Sequence, residues 1–439
     1  MISMKRRTLI KSLAACGMIA GTSIAQAVEP PKSWDVGTDV VVVGAGGAGL
    51  TAAVIAGKTC KVIVLEKGAF PGGNTLISGG GFNAADPEAI KKLGKEDSPE
   101  WHAKQTLAAG DYRADPKLVE ALADGALESL KWLKSIGVAF NDDVYQIYGG
   151  LWPRAHTPVK PAGQGYIEAL VNAAKKERVE LRMNARVTGI VREKQLEGRV
   201  LGVVFEQNGK PLYCHAKKGV VVASGGFSAN KELRSLYDPR MRDLTTTNQP
   251  TITGDLINPM IDIGAQTVGM DYIQCIPGNV PGQKAVSSGW INRVAGFIFV
   301  NESGDRFIAE DQRRDVIRDA VLAQPHKIAF PILDQKGFDA LPPGPKAKCE
   351  KSLAVGESYK ADTLDELARL MGVPASNLKK AVATYNAAVD SKKDPTGRAE
   401  AVLTDKIETA PFYAGRISMS VHHTMGGVRI DEKARVIDR

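Results

Sequence analysis

Cysteine is scarce in this sequence, and the few cysteines lie far apart. Five occur among 439 residues: Cys16, Cys60, Cys214, Cys275 and Cys349. There is no C-x-x-C or C-x-x-C-H motif, which excludes a zinc ribbon and a covalently attached c-type haem. We therefore predict no metal site. An odd number of widely spaced cysteines also predicts free, buried thiols without a disulfide framework.

Long apolar runs, basic tracts and internal repeats are missing as well. The 57 Lys+Arg residues exceed the 49 Asp+Glu residues, but the net charge of +8 is spread along the chain. No arginine-aromatic tract stands out, so nucleic acid is a poor candidate for a partner, whereas a small anionic substrate is compatible with mild basicity. The 44% hydrophobic and 24% charged fractions are typical of a globular protein with room for two domains.

The first 27 residues have the pattern of an export signal. Arg6 and Arg7 precede an apolar run that ends near residue 20, and an Ala-x-Ala site precedes Val28. The run is too short to cross a bilayer as a helix of the mature protein. This pattern resembles a twin-arginine signal peptide over residues 1–27, so we predict export to a periplasm. A lipoprotein cleavage box that ends at Cys16 is the alternative.

The rest of the sequence is organised around a glycine-rich turn. Four valines at 40–43 predict a buried strand, a G-x-G-x-x-G motif follows with Gly44, Gly46 and Gly49, and residues 50–56 predict a helix. In a dinucleotide-binding unit these glycines make the turn, admit a pyrophosphate and let the helix pack on the strand. The motif in this setting predicts a dinucleotide site. An ordinary glycine-rich turn is the alternative.

Further cofactor contacts are expected where neighbouring strands end. A second predicted strand, 61–66, ends in an acid at the distance where a ribose-binding carboxylate belongs. The loop 72–83 is rich in Gly, Ser, Thr and Asn, which bring N–H and hydroxyl groups close to a flat polar ligand; a mobile loop is the alternative. A later strand, 220–223, ends in a similar turn. The predicted contacts are Glu66, Gly73, Asn74, Thr75, Ser78, Gly80, Gly81, Ser224 and Gly225.

Between these strands the sequence predicts helices and a small antiparallel sheet. Helices are expected at 99–109, at 166–176 and from Pro116, with Asp115 as N-cap. Segments 179–183, 185–191, 202–205 and 211–215 alternate like antiparallel strands, with Asn208-Gly209 as a hairpin turn. The apolar stripe of the helix after Pro116 is Leu118, Leu122, Ala126, Leu130 and Leu133.

From about residue 272 the pattern changes to mixed helices and strands. It predicts a hairpin over 297–308, a strand at 328–333 and helices at 364–371 and 377–389. We assign 274–421 to a second, capping domain. Residues 35–273 and 422–439 form the dinucleotide-binding domain.

These motifs resemble those of one known family. Residues 44–50, 72–83, 224–227, 301–315 and 422–427 are similar to the soluble fumarate reductase/succinate dehydrogenase flavoproteins, which include periplasmic flavocytochrome fumarate reductases and urocanate reductases. The resemblance implies an α/β fold with a Rossmann-like FAD-binding domain that contains an inserted β-meander, plus an α+β capping domain. It also implies non-covalently bound FAD and the reduction of an α,β-unsaturated carboxylic acid.

The resemblance implies roles for three further residues. Arg314 corresponds to the arginine that protonates the α-carbon, His422 to the histidine that binds the substrate carboxylate, and Arg293 to the outer arginine of a proton relay. Donors and cations at this carboxylate would stabilise the charge that develops during hydride transfer. The structural alternatives are a surface ion pair of Arg314 with Asp311 or Asp315, and a satisfied core histidine at 422.

Two departures from the family pattern bear on the substrate. Ile276 stands where the family has a substrate-binding histidine, and Gly289-Trp290 stands where it has a Thr-Glu pair that anchors a second carboxylate and feeds the relay. A dicarboxylate would bury an unpaired charge there, which is costly. We therefore expect an acid with one carboxylate and an apolar or aromatic tail, of the acrylate, cinnamate or urocanate kind, and Trp290 stacked on that tail.

The family pattern also extends past residue 439, with an Ala-Gly-Glu flavin contact and an Asn-Arg-Leu-Gly-Gly segment. Their absence from this sequence predicts a C-terminally truncated flavin domain with low flavin occupancy. Electrons are expected from a separate cytochrome or flavoprotein, because no haem motif or second flavin domain precedes residue 35. The alternatives are a dehydrogenase or oxidase of the same fold acting in the desaturating direction, and a non-catalytic remnant or split subunit.

Overall fold

The computed structural model describes residues 28–147 and 151–439, so the predicted leader, including Cys16, lies outside the described residues. The strands, numbered in chain order, are β1 Val36–Val43, β2 Val62–Leu65, β3 Phe82–Asn83, β4 Phe140–Tyr145, β5 Ala155–Pro158, β6 Glu180–Arg182, β7 Arg186–Arg192, β8 Val200–Gln207, β9 Lys210–Val222, β10 Thr245–Thr246, β11 Thr267–Val268, β12 Ile273–Gly278, β13 Ile298–Val300, β14 Phe330–Leu333, β15 Tyr359–Ala361, β16 Phe412–Ala414, β17 Ser418–Thr424 and β18 Gly427–Val428.

The α-helices of the described residues are also numbered in chain order. They are α1 Gly47–Gly57, α2 Gly73–Ile77, α3 Pro87–Lys91, α4 Pro99–Ala109, α5 Pro116–Ser135, α6 Gln164–Lys176, α7 Lys231–Tyr237, α8 Ile257–Asp262, α9 Arg314–Leu322, α10 Gln335–Asp339, α11 Pro343–Ala354, α12 Leu364–Met371 and α13 Ala375–Ser391.

The largest sheet has six strands in the order β6-β2-β1-β9-β8-β7. Strands β6, β2, β1 and β9 run parallel, so their carboxyl ends meet at one edge. Strands β7, β8 and β9 form an antiparallel meander. Asn208 and Gly209, with φ of +52° and +72°, make the hairpin turn before β9, as predicted. This sheet confirms the predicted α/β fold with its inserted meander.

Two strand predictions differ from the structure. The prediction that 179–183 belongs to the meander is wrong, because β6 pairs in parallel with β2 at the far edge of the sheet. The predicted strands 211–215 and 220–223 are one strand, β9, which pairs with β8 at its beginning and with β1 towards its end. Alternating side chains look the same in both kinds of pairing, so sequence periodicity does not separate them.

The helices of the first domain agree closely with expectation. Helix α4 has the predicted bounds, and α5 begins at Pro116 after Asp115, whose side chain accepts a 3.0 Å hydrogen bond from Lys117 N. The predicted stripe on α5 is wrong at Leu122, which is 61% exposed, whereas Ala123 is buried. The stripe is confirmed at Ala126, Leu130 and Leu133, and Ala123 takes the place of Leu122 on the buried face.

A second unit is built on a four-stranded antiparallel sheet, in the order β13-β14-β16-β15. Helices α12 and α13 share a core with this sheet, in which Leu367, Leu378 and Tyr385 are fully buried. The predicted hairpin over 297–308 is reduced to β13 and a single bridge between Val300 and Arg306. These elements have the α+β character expected of a cap.

A buried network of charges underlies this unit. Glu310 accepts hydrogen bonds from Phe299 N at 2.8 Å, Arg306 Nη2 at 2.9 Å and Arg398 Nη1 at 3.1 Å. Arg306 also donates to Asp394 at 2.8 Å. The side chains of these four charged residues are at most 5% exposed. Two cations and two carboxylates therefore neutralise one another in the core.

Three strands join the two units. In the sheet β10-β17-β12, β12 pairs antiparallel with β17, and Gln274 lies opposite His423 beside an irregularity in the register. Strand β10 pairs in parallel on the other side of β17, with Thr246 opposite Val421. This sheet brings residues about 150 positions apart to one surface, next to the carboxyl ends of the parallel strands.

The four cysteines of the described ranges are free thiols, as predicted. Cys214, Cys275 and Cys349 are buried, and burial raises the pKa of Cys214 to about 11 and that of the other two to about 12. Cys60 is only partly buried. In the same ranges, no helix combines the length and apolar character needed to cross a membrane.

Two buried histidines predict how stability depends on pH. His102 is 5% and His156 3% exposed, and each has a buried ring nitrogen without a hydrogen bond. Burial lowers both pKa values; Arg154 adds to this at His102, while Asp86 opposes it at His156. The unfolded chain, with a histidine pKa of about 6.5, then binds more protons below that pH than the folded protein does.

We therefore expect stability to fall as pH decreases from about 6.5 towards the lowered folded-state values. The midpoint of thermal unfolding, measured between about pH 7.5 and pH 5.5, should decrease. The double variant His102→Gln/His156→Gln should lose less over that interval. Equal pH dependence in the two proteins would contradict the assignment.

Candidate active site

The glycine motif forms a tight turn between β1 and α1. Gly44 has φ of +100°, and a Cβ placed on it would lie 2.5 Å from the carbonyl oxygen of Ala223. A Cβ on Gly49 would lie 1.9 Å from Gly44 O. Neither position accepts a side chain, because strand, turn and helix are in direct contact there. The predicted roles of these two glycines are thus explained by local packing.

The same turn leaves a cradle in front of α1. A Cβ on Gly46 would come no nearer than 3.8 Å to any atom, which is an ordinary van der Waals contact, so this position is not closed by packing as those of Gly44 and Gly49 are. The first turn of this eleven-residue helix offers backbone N–H groups without intrahelical acceptors, which favours an anion such as a pyrophosphate.

Glu66 lies beside the cradle at the end of β2. Its Oε2 accepts a hydrogen bond from Ala45 N and its Oε1 one from Gly68 N, both at 2.7 Å. Each carboxylate oxygen keeps further acceptor capacity for the hydroxyl of a ribose. The acid thus fixes the turn and stays available to a nucleotide. The cradle and this acid fit the FAD that the sequence resemblance implies.

The loop 72–83 is attached to the cradle. Gly72 N donates to Ala45 O at 2.9 Å, and Thr75 Oγ1 accepts a hydrogen bond from Gly47 N at 3.1 Å. A Cβ on Gly73 would meet no atom within 4 Å, so this glycine borders open space. Cofactor contact by Gly73 stays a prediction, whereas the Thr75 hydroxyl is engaged within the protein.

Two other residues of this loop, Ser78 and Gly80, have hydrogen-bond partners inside the protein, and Gly81 is exposed. Ser78 Oγ donates to Thr75 O at 2.8 Å, and Gly80 O accepts from Tyr166 Oη at 2.7 Å. Gly81 follows directly before β3. Direct cofactor contact by Ser78, Gly80 and Gly81 stays a prediction.

The turn after β9 leads to the substrate side. Gly225 has φ of +76°, and Phe227 N donates to Thr424 Oγ1 at 3.1 Å. A Cβ on Gly226 would lie 2.1 Å from the same hydroxyl oxygen. The turn that begins with Ser224 therefore packs directly against the 422–427 motif at the end of β17.

Arg314 and His422 come together at this place. Arg314 is the first residue of α9, is exposed, and donates from Nη1 to Gln274 Oε1 at 2.9 Å. His422 lies on β17, which pairs with the strand that carries Gln274. Burial lowers the pKa of His422, and the charges of Arg314 and His423 lower it further. A neutral imidazole and a guanidinium therefore face the same site.

The surface ion pair considered as the alternative for Arg314 is not what the structure contains. Asp315 binds Arg313, with 2.8 Å between Oδ2 and Nη2, and Asp311 accepts from Ala399 N at 2.8 Å. The side chain of Arg314 is directed to Gln274 instead of either carboxylate. The ring of His422 is half-buried and has a hydrogen-bond partner in Thr247 Oγ1, as the alternative for that residue expects, so the carboxylate-binding role of His422 stays a prediction.

Arg293 is not among the direct neighbours of Arg314. Its guanidinium binds Asp405, a carboxylate that also lies 3.6 Å from Lys336 Nζ. Burial opposes ionisation of Asp405, but hydrogen bonds from Arg293 and Thr404 hold the pKa of this carboxyl below its usual value. The relay role of Arg293 stays a prediction.

The two positions at which this chain departs from the family pattern, Ile276 and Trp290, differ in burial. Ile276 is half-buried on β12, opposite Ser420. Trp290 is fully buried, with its ring centroid 6.0 Å from that of Phe338 and 6.3 Å from that of Tyr413. The prediction that Trp290 stacks on a substrate tail is therefore wrong, because neighbouring rings already cover it.

Sequence reasoning missed the segment that holds the two halves of the site. Asn248 Nδ2 donates to His422 O at 2.7 Å and its Oδ1 accepts from Asn74, while Gln249 N donates to Asn74 Oδ1 at 3.0 Å. Thr247 Oγ1 lies 2.7 Å from His422 Nδ1. The only sequence signal for this segment is its run of hydrogen-bonding side chains at 245–249.

The chain is similar to several known proteins. The FAD binding domain family model matches residues 39–439. The chain is 36% identical over 406 residues to a probable fumarate reductase of Shewanella frigidimarina, which covers 91% of this chain and 67% of that protein. It is 34% identical to an NADH:acrylate oxidoreductase of Vibrio harveyi, over 91% of this chain but only 46% of the relative.

A solved structure shares the architecture as well. The open conformation of a flavocytochrome c3 fumarate reductase superimposes with a TM-score of 0.76 at 33% identity, over the whole of this chain and 73% of the other. The family match, the sequence identity and the intact cradle lead to one conclusion. The chain belongs to the FAD binding domain family, as a fumarate-reductase-like flavoprotein oxidoreductase whose cofactor is FAD.

Proposed function

We propose that this protein reduces the C=C bond of an α,β-unsaturated carboxylic acid. The observation that carries the proposal is the meeting of Arg314 and His422 beside the turn that follows β9. Bound FAD in its reduced form would supply the hydride to the β-carbon. A carboxylic acid that binds between the two side chains would have its charge stabilised as it builds up.

The two residues have different tasks in this proposal. His422 offers a neutral hydrogen-bond donor to the carboxylate, because burial and the neighbouring Arg314 disfavour its protonation. Arg314 contributes a fixed positive charge and gives a proton to the α-carbon, and it must be reprotonated after each turnover. We propose Arg293, held by Asp405, as an outer member of the path that resupplies this proton.

The substrate follows from the apolar replacement at Ile276. This half-buried side chain lies on the same strand as Gln274, the acceptor of Arg314. A second carboxylate placed against it would lack a partner, which disfavours fumarate. The similarity to an NADH:acrylate oxidoreductase is in keeping with a monocarboxylic acid. We therefore propose an acid with one carboxylate and an apolar or aromatic tail, of the acrylate, cinnamate or urocanate kind.

The remaining parts of the proposal concern the domain organisation, the location and the electron supply of the enzyme. We propose that residues 35–273 and 422–439 form the FAD-binding domain and that 274–421 form the cap, with the β10-β17-β12 sheet at their boundary. We also propose export by the twin-arginine route to a periplasm and electron supply by a separate cytochrome or flavoprotein.

A panel of acids tests the substrate. The FAD-loaded protein is reduced under anaerobic conditions and mixed with acrylate, cinnamate, urocanate or fumarate, and the flavin absorbance is followed. We expect at least one monocarboxylic acid to reoxidise the flavin about tenfold or more faster than fumarate, since tenfold corresponds to about 1.4 kcal/mol of lost binding. The variant Ile276→His should gain activity with fumarate.

Two results would contradict this proposal. Faster reoxidation by fumarate than by every monocarboxylic acid would exclude the substrate class. Reduction of the oxidised flavin by a saturated ketone, steroid or amino acid, without reoxidation by any unsaturated acid, would indicate the desaturating direction instead.

A further inference from the structure

A hydroxyl group lies close to the ring of His422. Thr247 Oγ1 lies 2.7 Å from Nδ1 of the ring. The backbone holds the hydroxyl in this place, because Thr247 N donates to Val421 O at 3.1 Å and Thr246 pairs with Val421 in the sheet. The hydroxyl therefore reaches Nδ1 because two paired strands set its position.

The chemistry of the two groups decides the direction of this hydrogen bond. A hydroxyl both donates and accepts, whereas a neutral imidazole has one N–H and one acceptor nitrogen. In the described part of the chain, Thr247 Oγ1 has no side-chain or backbone acceptor other than Nδ1. Donation to Nδ1 satisfies the hydroxyl within the protein, and it leaves the imidazole hydrogen on Nε2.

The surroundings of the ring keep it neutral. Burial lowers the pKa of His422, and the positive charge of Arg314 lowers it further. The guanidinium of Arg314 already donates to Gln274 Oε1. The Arg314 guanidinium therefore has an acceptor other than the imidazole of His422.

We propose that Thr247 is a positioning residue that holds His422 in the Nε2–H tautomer, so that the ring presents an N–H donor to the carboxylate of the substrate. The carboxylate part rests on the proposed function; the tautomer does not. The other tautomer would present a lone pair at Nε2, and that lone pair would repel a carboxylate.

The adjacent residue links this arrangement to the cofactor side. Asn248 donates from Nδ2 to His422 O at 2.7 Å and from its backbone N to Thr246 Oγ1 at 3.2 Å. Its side-chain oxygen accepts from Asn74, in the loop beside the cradle. The position of Thr247 against the imidazole is therefore tied to the loop that borders the FAD site.

Nitrogen NMR of the imidazole rings tests the tautomer without turnover. The full-length, FAD-loaded protein is labelled with ¹⁵N in its histidines, and His422→Gln identifies the signals of this ring among six histidines. We expect the proton on Nε2 and a hydrogen-bonded Nδ1 at neutral pH. Thr247→Val should shift the Nδ1 signal to that of a nitrogen without a donor, and Thr247→Ser should restore it.

Kinetics with the best unsaturated acid test the second half of the proposal. Thr247→Val should raise KM about tenfold, because the hydrogen bond from His422 Nε2 to the substrate carboxylate weakens. The change in kcat should be smaller. Thr247→Ser should recover KM, and Thr267→Val on the exposed strand β11 serves as the matched control. If Thr247 only supported the fold, Thr247→Val and Thr247→Ser would not differ in both the Nδ1 signal and KM.

Either of two outcomes overturns the proposal: a wild-type proton on Nδ1, or valine and serine variants that are indistinguishable in the Nδ1 signal and in KM. The two proposals can also be separated. If the proton lies on Nε2 and the Nδ1 signal shifts in Thr247→Val, but no unsaturated acid is reduced, the proposed function fails and the tautomer assignment stands.

Discussion

Replacing Arg314 with methionine should lower kcat for the best unsaturated acid by at least about 10³-fold. The substitution removes both the proton donor and the charge that stabilises the transition state, and each of these contributions alone is worth about 10²-fold or more. Methionine keeps the aliphatic length of the side chain, so α9 should remain in place. Stopped-flow reoxidation of the reduced flavin measures the step directly.

Arg313 supplies a matched control for this experiment. It is the neighbouring residue and is equally charged, but it pairs with Asp111 and Asp315 at the surface, with 51% of its side chain exposed. Arg313→Met should change kcat less than about threefold, because exposed ion pairs contribute little. Equal losses in the two variants, or retention of a tenth of the activity in Arg314→Met, would refute the assignment of the acid.

Replacing Glu310 with glutamine should have the largest effect on stability. The free energy of unfolding should fall by about 3–5 kcal/mol, because the buried guanidinium of Arg398 would then lack a carboxylate partner. Glu310 accepts from Arg306 and Arg398, and only Arg306 has a second carboxylate, Asp394. The midpoint of urea unfolding, followed by the fluorescence of the protein, reports this change.

A second acid in the same loop is the matched control. Glu302 pairs with His326, whose side chain is 78% exposed, so Glu302→Gln should alter the stability by less than about 0.5 kcal/mol. Adding Arg398→Met to Glu310→Gln should recover part of the loss, since the net buried charge returns to zero. A double variant that is no more stable than Glu310→Gln alone would contradict this account.

The dinucleotide half of the fold was predictable because its signals are local. The valines of β1, Gly44 and the start of α1 lie within about 20 residues, and their geometry follows from steric exclusion at the turn. Helix α4 and the Asp115 cap were predicted for the same reason. Strand β6 was assigned to the wrong neighbour, because strand pairing is decided by segments far apart in the chain.

The substrate side was predictable only through resemblance, and only in part. The family pattern indicated Arg314 and His422, which the structure brings together, but it also suggested a stacking role for Trp290, which is buried among other rings. A tryptophan in a loop looks the same in sequence whether it faces a ligand or a core. Burial depends on what packs over it.

The sequence by itself determined the strand, turn and helix of the predicted pyrophosphate cradle, because Gly44 has a positive φ and a Cβ at Gly49 would collide with the carbonyl oxygen of Gly44. Tertiary structure alone decided which polar groups meet at the substrate side. Arg314 reaches Gln274 across 40 residues, and His422 reaches Thr247 across 175. Contacts of that separation follow from the register of β10, β17 and β12, which pairing in three dimensions sets and no short stretch of sequence contains.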